Sequence, residues 1–236
     1  MSFYSDFAHY YDQIFPCSQD TIDLFTQTFQ SKGKLLDIGC GAGGYALALA
    51  KLGYSVDGID YDSSMIDIAN KKTKDQTLSL SFKQGNMLDI DMLDVYDGIY
   101  CIGNTLVHLP SEQSVFEALG KFYDALKPGG SLIIQIVNYD RILDQNVENL
   151  PTLRADNLEF IRDYHFNGTK IEFLTTLKTN ERTYKNTVDL LPVRQNDLFK
   201  MMNQIGFYEV RSFGRFDLSP FEHDQSFMLV MKGSKR

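Results

Sequence analysis

Leu35-Leu-Asp-Ile-Gly-Cys-Gly-Ala-Gly-Gly44 decides how this chain is read. Its apolar start is a short strand, the glycines make a turn, and Tyr45-Ala-Leu-Ala-Leu-Ala50 continues as a helix. Without Cβ atoms, Gly39, Gly41 and Gly43 allow a tight turn and let a ligand approach the backbone closely. Free amides at the start of the helix present partial positive charge to an anionic group. Such a turn suits a nucleoside-type cofactor.

Gly39, Gly41 and Gly44 also satisfy G-x-G-x-x-G, which alone is a weak dinucleotide signal. Asp37 separates the readings. A carboxylate two residues before the first glycine repels a pyrophosphate. It suits a ligand bearing an amine and a sulfonium, and S-adenosylmethionine (SAM) has both. A second strand, Tyr54-Ser-Val-Asp-Gly-Ile-Asp60, ends in an acid about twenty residues on. In a doubly wound sheet that acid is placed to accept hydrogen bonds from ribose hydroxyls. Ahead of the next helix, Asp62 or Ser63 can cap, and Ser64 with Asp67 has capping-box spacing.

The D-x-G-x-G-x-G run resembles motif I of the class I SAM-dependent methyltransferases, and later segments follow in that family's order. Leu80-Ser-Phe-Lys-Gln-Gly-Asn-Met-Leu-Asp89 is a third strand and turn, and Tyr96-Asp-Gly-Ile-Tyr-Cys-Ile-Gly-Asn-Thr-Leu-Val-His-Leu109 a fourth strand with its exit loop. Leu126-Lys-Pro-Gly-Gly-Ser-Leu-Ile-Ile-Gln-Ile-Val137 is a helix end, turn and fifth strand. The resemblance implies an α/β fold: a doubly wound, mostly parallel seven-stranded sheet whose last strand is antiparallel. It also implies the cofactor contacts: Asp37, Gly39, Cys40, Gly41 and Gly43 at the methionyl part, Asp60 at the ribose, and Tyr61, Asn86 and Met87 at adenine, joined by Tyr11, Met65, Cys101 and Ile102. S-adenosylhomocysteine (SAH) is the implied product.

Two regions lie outside the shared core. Phe3, Phe7, Tyr10 or Tyr11, and Ile14 recur at helical spacing, predicting an aromatic lid helix over residues 1–16. In residues 157–191, alternation around Asn167-Gly168 is a strong hairpin signal, with a third antiparallel strand after it. A β insertion over 151–191, after strand five and beside the ligand-binding edge, is expected to cap the substrate. Residues 195–205 read as a helix stopped by Gly206, followed by two last strands over 207–213 and 226–232. All of this fits one domain, 1–236.

Within the family, Ile102-Gly-Asn-Thr-Leu-Val-His-Leu109 and Val137-Asn-Tyr-Asp-Arg-Ile-Leu143 are similar to the glycine/sarcosine N-methyltransferase type. This similarity implies Asn104 at the acceptor; Tyr139, Arg141 and, from the lid, Tyr4 or Tyr11 are expected beside it, and His108, of a residue type that titrates near neutrality, is the candidate base. The glycine enzymes carry an Arg where this chain has Val137, and an isopropyl group cannot replace a bidentate guanidinium. Glycine as acceptor therefore requires Arg141, Arg154 or Arg162 to reach in from the insertion.

Composition bounds the rest. Among 236 residues, 23 Lys and Arg face 31 Asp and Glu, a net charge of −8 that argues against a phosphate-backbone partner. Gly103-Asn104-Thr105-Leu106 stands where amino-directed nucleic-acid methyltransferases have N/D-P-P-Y, and the Pro16-Cys17 pair is misplaced for cytosine chemistry. A small-molecule acceptor is favoured. No apolar run approaches a membrane span, and the first Lys or Arg is Lys32, which leaves no basic leader. Three cysteines without C-x-x-C spacing suggest reduced thiols and a cytoplasmic setting. No histidine has metal-site spacing. Two other readings remain: an NAD(P)-dependent oxidoreductase, from Tyr123-Asp-Ala-Leu-Lys127 with Ser111, and a non-catalytic SAM-binding protein.

Overall fold

A computed structural model describes residues 8–29, 32–74, 76–155 and 157–236. In chain order its elements are α1 (Tyr11–Ile14), α2 (Gln19–Thr28), β1 (Lys34–Ile38), α3 (Gly44–Lys51), β2 (Ser55–Asp60), α4 (Ser63–Thr73), β3 (Leu80–Gln84), β4 (Tyr96–Cys101), α5 (Glu112–Ala125), β5 (Leu126–Val137) and α6 (Tyr139–Asp144). There follow β6 (Asn149–Ala155), β7 (Leu158–Asn167), β8 (Lys170–Lys178), β9 (Thr183–Leu190), α7 (Gln195–Ile205), β10 (Tyr208–Phe213) and β11 (Met228–Ser234).

Seven strands form the main sheet in the order β10-β11-β5-β4-β1-β2-β3, with β11 antiparallel to both neighbours. Both faces of its central strands are covered, so these strands read as continuous apolar runs rather than alternating ones. Successive residues serve opposite cores. Leu36, Ile99 and Ile134 pack on one side with Leu119 and Phe122 of α5 and Leu198 of α7. Leu35, Tyr100 and Ile133 pack on the other with Phe25 of α2 and Leu49 of α3. The chain leaves β1 toward β2 and returns from β3 to β4, so the C-terminal ends of β1 and β4 bound the crevice where ligands settle in such sheets.

A second, four-stranded antiparallel sheet runs β6-β7-β8-β9. Asn167 pairs with Lys170, so the hairpin turns at Gly168 and Thr169, one residue later than the Asn-Gly signal places it, with Gly168 at φ 66°. It gains one strand more than expected. Pro151 makes β6 look like loop in the sequence, but an edge strand with a register shift between Leu150 and Leu153 accommodates it.

Other differences have local causes. Helix α2 was not anticipated; Ser18 caps it by accepting from the Thr21 N–H at 3.2 Å, and Leu24 and Phe25 bury against the sheet. Of the lid helix expected over 1–16, the described part is a 3₁₀ turn, Ala8–Tyr10, followed by the single turn α1, which ends before Pro16. Tyr4, with Phe3 and Phe7, lies outside the described residues. Asp62 alone caps α4, bonding the Ser64 N–H and hydroxyl, so Ser64 does not open a capping box. Helix α5 ends at Ala125 rather than at Pro128, because Leu126 already pairs with Tyr96 ahead of a register shift. The last strand starts two residues late, and Gly206 closes α7 as expected at φ 117°.

Candidate active site

The glycine turn lies at the end of β1. Gly39 and Cys40 both donate to the Ile59 carbonyl, at 2.8 and 3.0 Å, folding the turn onto β2. Gly39 sits at φ 70°, and a Cβ there would lie 2.3 Å from Thr105 Cγ2. A Cβ on Gly41 would touch the Tyr11 ring at 3.2 Å, so α1 lies directly over this turn. Gly43 departs from expectation. Its missing Cβ makes room for Phe82 and Ala69, and it lines neither cavity described below. Asp60 braces the same turn: its Oδ2 accepts the Gly41 N–H at 2.8 Å and its Oδ1 the Asp62 N–H at 2.9 Å.

Two cavities meet there and share Tyr11, Gly39, Gly103 and His108. One, of about 580 Å³, brings together Gly41, Asp60, Tyr61, Met65, Asn86 and Met87. Asn86 Oδ1 already accepts the Leu88 N–H at 3.0 Å. The other, of about 400 Å³, brings together Asp37, Cys40, Ile102, Asn104 and Val137. Strands of the second sheet close it with Leu150, Leu153, Phe160, Arg162, Tyr164 and Phe173. Segment α1 joins the two parts, since Phe15 meets Phe160 edge-on at 5.7 Å while Tyr11 covers Gly41.

Several expected residues stand behind this surface. Cys101 is fully buried in the core and lines neither cavity. Tyr139 is 1 % exposed and lines neither as well. Its hydroxyl accepts from Asn104 Nδ2 at 2.9 Å, and Asn104 Oδ1 accepts the Val137 N–H at 3.0 Å. Asn104, held at φ 67°, thus clasps β5 and keeps little of its amide for a ligand. Arg141 lines neither cavity, and Arg154 pairs with Glu159 at 2.7 Å on the surface. Of the three arginines, Arg162 is the one that lines the smaller cavity.

Gln135 was missed. It lines the smaller cavity and its Oε1 accepts the Gly103 N–H at 2.8 Å. A lone glutamine in Ile133-Ile-Gln-Ile-Val137 was the available signal. Phe216 and Phe227 also line this cavity from the β10–β11 connection, where no periodicity marks them. Tyr123 and Lys127 sit elsewhere: Tyr123 stacks edge-on to Phe207 at 5.0 Å and Lys127 pairs with Asp97 at 2.9 Å. The dehydrogenase spacing is therefore core packing and a surface ion pair.

Electrostatics single out Asp37. It is 3 % exposed, and burial pushes its carboxyl up to about 8, with the Tyr100 hydroxyl opposing and the Asp60 charge adding to the rise. Among the described residues no basic side chain forms an ion pair with it. Burial also raises Asp60, against the pull of backbone N–H groups at Asp62, Gly41 and Tyr61, and lowers His108 to about 4. Two clustered acids without a counter-charge fit a cationic ligand. The residues fit SAM: its ammonium and sulfonium would supply positive charge near Asp37, and its ribose hydroxyls could use the remaining lone pairs of Asp60. A pyrophosphate at this turn would add negative charge to both acids.

A family model described as a methyltransferase domain matches residues 35–130. The glycine/sarcosine N-methyltransferase of Aphanothece halophytica is 26% identical over 216 residues, spanning 88% of this chain and 79% of that protein. Among solved structures, a SAM-dependent methyltransferase from Clostridium acetobutylicum superposes with a TM-score of 0.83 at 15% identity, covering 98% of both chains. SAM-bound CalS10, an amino pentose methyltransferase from Micromonospora echinaspora, gives 0.70 at 15% identity over 92% of this chain and 89% of its own. Motif order, sheet topology, the acid-lined turn, the methyltransferase-domain match over residues 35–130 and these likenesses together support a class I SAM-dependent methyltransferase.

Proposed function

We propose that this enzyme methylates an amine nitrogen of a small molecule. One observation carries the proposal. The 580 Å³ and 400 Å³ cavities share the glycine turn and His108, and the smaller is closed by the apolar inner side of the second sheet. Such volumes suit small molecules. The named relatives support the choice of nitrogen, since they act on glycine or sarcosine and on an amino pentose. The net charge of −8 supports an acceptor other than nucleic acid.

In this reading Asp37 and the turn through Gly39 and Gly41 hold the methionyl part of SAM. Asp60 holds the ribose, and Tyr61, Met65, Asn86 and Met87 surround adenine. When bound, SAM supplies a methyl group already activated by its sulfonium. The chain's own residues then have to orient the amine lone pair and exclude water. The second sheet, with Tyr11 and Phe15, is the cap that does so. Asn104, fixed by Tyr139, sets the floor on the acceptor side. His108 is neutral above about pH 5 and accepts a hydrogen bond from the acceptor. It is too weak a base to retain the proton, which passes to solvent.

The test is release of SAH from SAM with a panel of amino acids, amino sugars and arylamines beside matched alcohols. Turnover confined to amines supports the proposal; turnover with alcohols alone, or with oligonucleotides alone, refutes it.

A further inference from the structure

Resting on the reading above, we propose that the amine acceptor also carries a carboxylate, which seats on Arg162 of the cap. Phe160, Arg162 and Tyr164 alternate along β7 and all three line the 400 Å³ cavity. An arginine in the middle of an inward-facing row is costly unless something compensates its charge. Here no acidic side chain among the described residues pairs with it. Arg162 is only 9 % exposed, and its register partners are Leu150 on β6 and Thr175 on β8. Its Nη2 donates to the Pro151 carbonyl at 2.6 Å, while Nε is buried with no hydrogen-bond partner. The carboxylates lining this cavity are Asp12, already paired with Lys72, and Asp37 on β1.

The cavity thus places an uncompensated guanidinium on its roof and an uncompensated carboxylate on its floor. Asp37 belongs to the methionyl ammonium, so Arg162 is left to take an anionic group from the other occupant. A guanidinium fork matches a carboxylate in two parallel hydrogen bonds. Between the charges the walls are Leu150, Phe160, Phe173 and Phe227, which favour an apolar body over a bare glycine. The acceptor class is therefore an amino acid with a bulky apolar side chain, held by the cap.

The experiment compares acids with the same amines lacking the carboxylate: L-phenylalanine with phenethylamine, and L-leucine with 3-methylbutylamine. It measures kcat/KM by SAH release, and binding to the SAH-loaded protein by calorimetry. The acids should lead by about 30-fold or more, the scale for stripping one partner from a buried charge pair. Arg162→Met should erase that lead through KM and binding, and Arg162→Lys should retain part of it. SAH affinity, measured on both variants, checks that each is folded and should stay within about twofold of the parent. Amines matching the acids, or a lead that survives Arg162→Met, overturn the inference while leaving methyl transfer intact. So does a tenfold loss of SAH affinity in Arg162→Lys and Arg162→Met at unchanged Tm, which would assign the guanidinium to the cofactor. SAH release with no amine or acid at all would bring down the underlying reading as well.

Discussion

Replacing Asp37 with Asn should make the ligand-free enzyme more stable and its cofactor binding weaker. The Asp37 carboxyl titrates near 8 in the folded chain against 3.8 ordinarily, because it is buried without a cation. The folded state therefore holds a proton at pH 7 that the unfolded chain has released. This costs about 1.36 × (7 − 3.8), or roughly 4 kcal/mol. The sign follows from the upward shift: the cost is absent below pH 3.8, grows as pH rises, and levels off above about 8. Asparagine has nearly the same shape and no charge to desolvate. Differential scanning calorimetry should show Asp37→Asn melting about 8 °C or more above the parent at pH 8, with the gap closing toward pH 4. SAM binding should weaken by about tenfold to a hundredfold, the range for a lost charge-assisted hydrogen bond. In the parent, binding should release a proton and weaken as pH falls below 8, because the cation selects the ionised acid. A variant that melts lower at pH 8, or binds SAM as tightly as the parent, would refute the reasoning.

Gly39→Ala should lower Tm and abolish SAM binding, because its methyl group would meet Thr105 at 2.3 Å. Gly103→Ala, at a similar φ of 74° but with nothing within 4 Å, should cost only the backbone strain of about 1–2 kcal/mol; thermal melts compare the two. At saturating SAM, kcat/KM for the acceptor should climb with pH to the amine's own pKa and show no inflection near 6.5, in the parent and in His108→Gln alike. An inflection there that vanishes in the variant would make His108 the base. Tyr139→Phe removes the Nδ2 acceptor of the Asn104 clasp and should raise the acceptor KM about fivefold while leaving SAM affinity unchanged. Initial-rate kinetics and calorimetry check this.

The main sheet was legible because β1 and β5 carry apolar runs and glycine, proline or polar turns punctuate the strands around them. Asp37 and Asp60, at the ends of adjacent strands, could be placed from the doubly wound topology alone. What depended on packing was not legible. Nothing local distinguishes Gly43, which admits Phe82, from Gly41, which lies under Tyr11. Cys101 and Ile102 are neighbours in strand and loop, yet only Ile102 reaches a cavity, because successive side chains point to opposite faces. Tyr139 was placed beside the acceptor by similarity of sequence; its burial behind Asn104 depends on the turn from β5 into α6. Strand β6 hid behind Pro151, and with it went the carbonyl that positions Arg162. The sequence listed Arg162 among three candidates, and only the register of β7 tells which one faces inward.

The most direct measurement is a crystal structure of the enzyme with SAH and an amine acceptor. The account predicts the adenosine between Asp60 and Asn86, the homocysteine ammonium against Asp37, and the acceptor nitrogen beneath the second sheet on the side of Asn104 and Val137. SAH lodged away from the glycine turn, or an acceptor entering on the face opposite the second sheet, would contradict it.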